Sequence, residues 1–471
     1  DRQATGNSAI SFGGDTGEFF GLMLLSLAPG VVSLITGGWT WQYATVTGNV
    51  AVNGTRSAMN EFSMDGAPDT RGSSVAYTPP PEAVQEFRVQ TNSASAEFGR
   101  TAGGVINMTS RSGTNEFHGS AYEFLRNRVL NANTFFSNKA SLARPPFTQN
   151  QFGGTIGGPI VRDQAFFFFS YEGFRQRQGR TYTLSTPIPE WRKGDFSNLR
   201  NSTGASITIY DPLTICGRLG NPACATGSTG AEVLARQPFP GNVIPTERLD
   251  KTAVLLTPKI WGLPNQPGNA FTFANNFATN ASAGSNNDQF NFRIDENLND
   301  KQRIFGRYAQ IRNTPLLIKP YGTITAGGAF RFTPTHQAVF GDTYTINPTT
   351  VFDIRLAYVH TENNRWPDSL GMDMTTIGWP ASYNSQMQYR VLPQPNVAGF
   401  DGLNLFIADP ETVIKARNHV YSLAPSLTKT ISRHTLKFGM EMRVIQFNFT
   451  QTNSSGGTFA FDNVFTSVNP L

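Results

Sequence analysis

The side chains able to do covalent or metal chemistry are few and scattered in this chain. The five histidines, His118, His336, His360, His419 and His434, fall at no metal-ligand spacing. Cys216 and Cys224 lie close together in a Gly/Pro/Thr-rich stretch, a spacing compatible with a small disulfide-closed loop in an oxidising compartment; a metal site would need further ligands nearby. No Ser/His/Asp set, carboxylate pair or metal constellation stands out, so no catalytic, cofactor-binding or metal residue is assigned and the chain does not read as an enzyme. "GGTIGG" at 153–158 is no phosphate cradle, because no strand-to-helix transition follows and no Lys-Ser/Thr pair completes it.

The charged residues are organised instead by a period of two. In "QFNFRID" (289–295), Phe290, Phe292 and Ile294 oppose Gln289, Asn291, Arg293 and Asp295. "VFDIRLAY" (351–358) sets Phe352, Ile354, Leu356 and Tyr358 against Val351, Asp353, Arg355 and Ala357. "TLKFGMEMRV" (435–444) sets Leu436, Phe438, Met440, Met442 and Val444 against Thr435, Lys437, Gly439, Glu441 and Arg443. Arg293, Asp295, Arg303, Arg307, Asp353, Arg355, Lys437, Glu441 and Arg443 thus share the polar side of their strands. As a set they suit the anchoring of something inside a polar lumen; any one of them alone is better explained as a solvated lumen residue.

Such a wall needs strands, and the pattern predicts them near 116–125, 150–158, 164–172, 287–295, 302–311, 336–346, 350–361, 419–430 and 434–449. The connections alternate between short, as at Asn347-Pro348 and Ser432-Arg433, and long, as at 173–286. An up-and-down barrel crossing an outer membrane produces that alternation, since turns on one side are tight and loops outside are free to grow. The strands are long enough to span a bilayer when tilted. Tyr308, Tyr344 and Tyr358 suit interfacial girdles. A soluble β-protein would place its charges in water and its aromatics in one small core, whereas here every strand carries Phe, Tyr, Met or Leu on its apolar face. About nine or ten strands leave an unpaired edge that hydrocarbon does not tolerate, so more strands are expected to follow Leu471.

Composition agrees. Only 15% of the 471 residues are charged, against about 25% in soluble domains, beside 45 glycines and 37 phenylalanines. The net charge of +5 comes without a Lys/Arg run that would grip a phosphate backbone, so no nucleic-acid partner is expected. The apolar stretch at 19–39 is broken by Pro29-Gly30 and closed by Gly37-Gly38, which predicts a short helix, a turn and a strand in place of a membrane helix. Residues 40–112 mix short strands, "VQEFRVQT" (84–91) and "GGVINMTS" (103–110), with turn-rich links, as a small α/β unit would.

"VNGTRSAMNEFSMDGAPDT" (52–70), "PPEAVQEFRVQTNSASAEFGRTAGGVINMTSRSGTNEFHGSAYEFLRN" (80–127), "QFGGTIGGPIVRDQAFFFFSYEGFRQRQ" (151–178) and "RQPFPGNVIPTERLDKTA" (236–253) resemble TonB-dependent outer-membrane receptors, most closely the Oar-like group of acidobacterial type. The resemblance implies an all-β transmembrane antiparallel barrel, incomplete here, preceded by a small α/β plug: plug at 1–112, the N-terminal part of the barrel at 113–471, and a long extracellular loop at 173–286. Family members close a barrel of about 22 strands around the plug. Family members begin with a signal peptide and a TonB box, neither of which lies in the sequence from Asp1 on. Gly99, Arg100, Gly103, Gly104 and Gly113 would form the plug–barrel junction, Gly103-Gly104 by close backbone approach and Gly113 by supplying a turn. Asp65, Asp69, Arg71 and Tyr77 could face the outer vestibule and the solute, although turn chemistry alone explains Asp there.

The resemblance implies localisation in the Gram-negative outer membrane, in contact with its lipid and lipopolysaccharide. It implies an energy-transducing TonB-type inner-membrane partner and no cofactor. The expected activity is import of a scarce, bulky solute of unknown class: oligosaccharide, peptide or chelate. The alternative is a surface binding or adhesion protein acting through its large loops.

Overall fold

The computed structural model describes residues 28–33, 50–56, 59–71, 74–92, 95–99, 101–133, 146–217, 221–227, 235–316, 333–397, 413–452 and 455–462, with isolated positions between them. Near the N-terminus, β1 (Glu61–Met64), β2 (Ala67–Pro68), β3 (Val84–Gln90) and β4 (Val105–Ser110) form a small sheet in the order β2-β1-β4-β3. β1 and β4 run parallel and the other pairs antiparallel. Phe62, Met64, Val75, Ile106 and Met108 make its core. The turn expected at Pro29-Gly30 is present, with Gly30 at φ 79°, and leads into a strand at Val31–Ser33. The helix expected before it lies outside the described residues.

The rest of the chain builds one antiparallel wall. Its strands are β5 (His118–Asn127), β6 (Phe147–Val161), β7 (Ala165–Leu184), β8 (Phe277–Asn299), β9 (Gln302–Leu316), β10 (Thr333–Asn347), β11 (Thr350–Trp366), β12 (Val413–Ile431), β13 (His434–Gly439) and β14 (Met442–Thr452). Each pairs with its sequence neighbour from β5 to β12, and β13 and β14 both pair with β12. The expected strand at 434–449 is interrupted because Met440-Glu441 lies opposite Pro425, which has no N–H to give the ladder. Among the described residues β5 and β13–β14 are not paired with one another, so the wall is an open segment of a barrel.

Short turns at 162–164, 300–301, 348–349 and 432–433 lie at one end of the wall, and the long connections leave from the other end, after Asn127, Leu184, Leu316 and Trp366. The two faces are chemically opposite. Phe292 is 42% exposed, Leu356 43% and Phe438 59% on the outer face, with Tyr308, Phe340 and Tyr344 also exposed there. On the inner face Gln289, Asn291, Arg307, Gln337, Thr361 and Asn418 are buried. Charge and amide inside with aromatics outside suits lipid and inverts the soluble arrangement. Across the outer face Tyr308 bonds His336 at 2.8 Å and Tyr358 bonds His419 at 2.9 Å, with His360 between the two histidines.

The expected long loop at 173–286 is shorter than that, because β7 runs on to Leu184 and β8 begins at Phe277. In "RQRQGRTYT" both faces are polar, so the period-two signal disappears while the ladder continues. The 23 residues of β8 are roughly 75 Å long, several times the ~25 Å apolar band, so the wall stands well clear of the membrane. Thr186 and Asn276 close the base of the loop with two reciprocal 2.8 Å hydrogen bonds. Above it the helix α1 (Lys251–Ile260) and the segments at 374–377 and 391–392 share one core of Ile260, Trp261, Met374, Ile377 and Leu392. Loops from different hairpins therefore fold together as a cap.

Candidate functional site

The N-terminal sheet sits against the inner face of the wall, and its contact is built from one tight turn. Asp65 and Gly66 have φ of 54° and 77°, the pair of positive values that a two-residue type I′ hairpin needs, and Met64 pairs with Ala67 across it. The turn pushes the Asp65 carboxylate into the wall, where Arg293 of β8 meets it at 3.0 Å and Arg307 of β9 at 2.5 Å. Ser110 holds the same carboxylate from behind, donating its backbone N–H at 2.8 Å. The Asp65 and Arg307 side chains are 2% and 0% exposed, so this is a desolvated clasp and not a surface ion pair.

The surrounding charges support it. Arg293 also pairs with Asp295 at 2.7 Å and stacks over the Phe305 ring at 4.4 Å; Arg355 lies over the same ring at 5.2 Å and pairs with Asp353 at 2.9 Å. Arg307 donates to Gln337 at 2.7 Å. Two further contacts repeat the polarity, acid on the N-terminal unit and base on the wall: Glu61 of β1 with Arg443 at 2.9 Å, and Glu97 of the link between β3 and β4 with Lys437 at 2.5 Å. Glu441 is the second partner of Arg443. Arg303 is exposed beside the 300–301 turn and reaches no charged partner among the described residues.

Three residues expected to face the outer vestibule are placed differently. Asp65 is in the clasp. Asp69 is 0% exposed and accepts from the Tyr77 backbone N–H at 3.0 Å and from Gln337 at 3.3 Å. Burial pushes its carboxyl up to about 7, against the pull of the Arg307 charge and of the backbone donors. Tyr77 packs against Ala309 and Ile311 of β9. Their turn-rich sequence reads as vestibule because turns are commonly exposed, but here the turns dock on a wall that sequence pattern cannot bring near. Arg71 ends a two-residue strand, and its side chain lies outside the described residues.

The junction glycines also divide. A Cβ on Gly113 would strike the carbonyl oxygens of Phe167 and Gly158, so Gly113 serves close passage of the chain past the wall; its φ is not positive, and the expected turn role is corrected. Gly103 and Gly104 are crowded by Asn60, Met59 and Val52, inside the N-terminal unit and not at the junction. Gly99 has open space around it, and Arg100 lies outside the described residues. Cys216 and Cys224 are disulfide-bonded.

Sequence reasoning did not single out Glu61, Glu97, Ser110 or Gln337, nor Glu172, which accepts from Tyr122, Gln151 and Gln289 inside the wall. The Asp-Gly pair flanked by apolar residues was the one available signal for the clasp.

An apolar-outside, polar-inside wall of sequentially paired strands with a small sheet clasped to its inner face defines an outer-membrane β-barrel protein. The chain belongs to the outer membrane beta barrel domain family, whose pattern matches residues 109–470. It is 33% identical over 147 residues to the TonB-dependent transporter Oar of Myxococcus xanthus, a match that covers 29% of this chain and 13% of that protein. Among solved structures, the siderophore receptor PirA from Acinetobacter baumannii aligns with a TM-score of 0.43 and 13% identity over 84% of this chain and 42% of its own. The ferric enterobactin receptor PfeA from Pseudomonas aeruginosa aligns with a TM-score of 0.45 and 12% identity, over 93% and 48% respectively. The chain thus spans less than half the length of these structures.

Proposed function

We propose that this chain is the plug and the first part of the barrel of a TonB-dependent receptor that imports a scarce, bulky solute across the outer membrane. The observation that carries the reading is the buried clasp of Asp65 with Arg293 and Arg307. A plug held to a lumen wall by a few desolvated charges is firm at rest, yet loses its hold stepwise once Asp65 is displaced, because each pair is short-ranged. An inner-membrane partner adding a strand to the N-terminal side of the plug would apply the displacing force. The outer aromatic face would meet membrane lipid and lipopolysaccharide, and the cap and plug surface would catch the solute. The test is energised uptake: cells carrying the native protein accumulate solute, and a protonophore abolishes accumulation while leaving surface binding intact.

The folded cap favours a second reading, a surface binding or adhesion protein, since loops with their own core can hold a partner without any import. Binding with no energy-dependent accumulation on any solute would select it.

A further inference from the structure

Between the plug and the wall lies a stripe of buried polar side chains that the clasp does not use. On facing positions of β7 and β8, Gln176 pairs in register with Ser285, Phe174 with Asn287, Glu172 with Gln289, and Ser170 with Asn291. The six hydrogen-bonding residues Gln176, Ser285, Asn287, Gln289, Asn291 and Ser170 are 0–5% exposed, and each has a side-chain N or O without a partner among the described residues. Buried amides without partners are destabilising, and Leu or Val would avoid the loss if the stripe served only to pack the plug.

The plug covers the Gln289–Asn291 end of the stripe. Tyr77 packs on Ala309 and Ile311, the register neighbours of Asn291 and Gln289, and at the other end Glu82 reaches Tyr122 beside Glu172. The chain between them therefore passes over the stripe at the level of Glu172 and Gln289, and it is Thr78-Pro79-Pro80-Pro81, three of whose four residues have no N–H to offer. A cavity of about 490 Å³ opens beside it, lined by Pro81, Glu82, Gln149 and Gln151 among others.

We infer that this stripe is the solute path, and that the solute is a neutral oligosaccharide; the inference rests on the transport reading. Displacing residues 77–83 would uncover Gln289 and Asn291 and open the way to Asn287 and Gln176 further along, side-chain amides that each offer both donors and acceptors, the match for sugar hydroxyls. The ionic groups along the stripe are already satisfied: Glu172 by three donors, and Arg293 by Asp295 within the wall itself. An anionic chelate finds no row of open cations there. Phe174 lies within the stripe, and Phe447 and Phe449 stack at 5.7 Å on β14, on the same side as Arg443 that reaches the plug, offering flat apolar faces to sugar rings.

The experiment measures energised uptake by the native protein in its own outer membrane. The probes are neutral hexasaccharides from xylan, cellulose and starch, a neutral hexapeptide and a ferric catecholate, each tested with and without protonophore. At least one hexasaccharide is expected to enter, and Asn287→Leu/Asn291→Leu is expected to reduce its uptake at least tenfold with outer-membrane level and thermal stability unchanged or raised. Entry of the peptide or chelate without any hexasaccharide overturns the inference and leaves the transport reading standing. Absence of energised uptake of every hexasaccharide overturns the inference, and the transport reading falls with it when no solute of any class accumulates. Undiminished uptake in the variant, or a variant that fails to assemble, overturns the inference, because groups without partners add nothing to the resting fold.

Discussion

Replacing Asp65 by Asn tests the clasp with little change of shape. The amide oxygen can still accept from the Ser110 N–H, now at 2.8 Å, so the substitution removes mainly the charge. Arg293 keeps Asp295 at 2.7 Å, but Arg307, 0% exposed, loses the carboxylate at 2.5 Å. Removing one partner of a buried ion pair costs about 3–5 kcal/mol, and since one of the two guanidiniums stays paired the lower end applies, about 3 kcal/mol. That is roughly a 100-fold shift from docked to undocked plug. Hydrogen exchange by mass spectrometry on the full-length protein reads it directly. Amides of β1, β2 and β4 should exchange about 100-fold faster in Asp65→Asn, while β8 and β9 keep their protection. Adding Arg307→Gln removes the stranded charge and should recover about tenfold. Unchanged exchange in β1 and β4, or equal loosening of plug and wall, would refute the reasoning.

Other expectations concern pH, crowding and the cap. With its carboxyl raised to about 7 in the docked plug, Asp69 is protonated there at pH values where the undocked chain has ionised it. Its contribution to docking is therefore complete below about pH 4 and is lost progressively up to about pH 7, so protection around 69–77 should fall between about pH 4 and 7 and level off above, and Asp69→Asn should flatten that slope. Gly113→Ala should reduce the folded fraction on unheated gels by overpacking against Phe167 and Gly158, an effect of about 1–3 kcal/mol. Cys216→Ser opens a loop of sequence separation 8, which loosens it by about 2–3 kcal/mol; proteolysis should quicken within 211–238 while the melting of the wall is unchanged.

Much of the wall was legible in the chain because lipid on one side and a polar lumen on the other impose a strict alternation, as "VFDIRLAY" displays residue by residue. The same rule fails above the membrane, where both faces are wet, and so the upper parts of β7 and β8 carry no period-two signal. The inner-face assignment of Arg293 and Arg307 rested on parity alone, whereas their partner Asp65 depends on contact across more than two hundred residues of chain, which no local pattern encodes. Tyr77 and Asp69 illustrate the opposite error: composition marks a turn, but only tertiary packing decides whether water or a wall faces it. Glu172 and the amides around Gln289 look like ordinary polar alternation, and their distinction lies in what covers them.

The most direct measurement asks which side of the wall meets lipid. The two cysteines of this chain are joined in one disulfide, so, with any cysteine outside it replaced by serine, single cysteines can be spin-labelled at Phe292, Phe340 and Leu356 and at their neighbours Asn291, Val339 and Ala357 in the full-length protein reconstituted in bilayers. Labels at Phe292, Phe340 and Leu356 should collide with oxygen dissolved in the lipid and not with a water-soluble nickel chelate, and the neighbouring positions should show little lipid contact. Equal accessibility along each strand, or lipid contact at Asn291, Val339 and Ala357, would contradict the account.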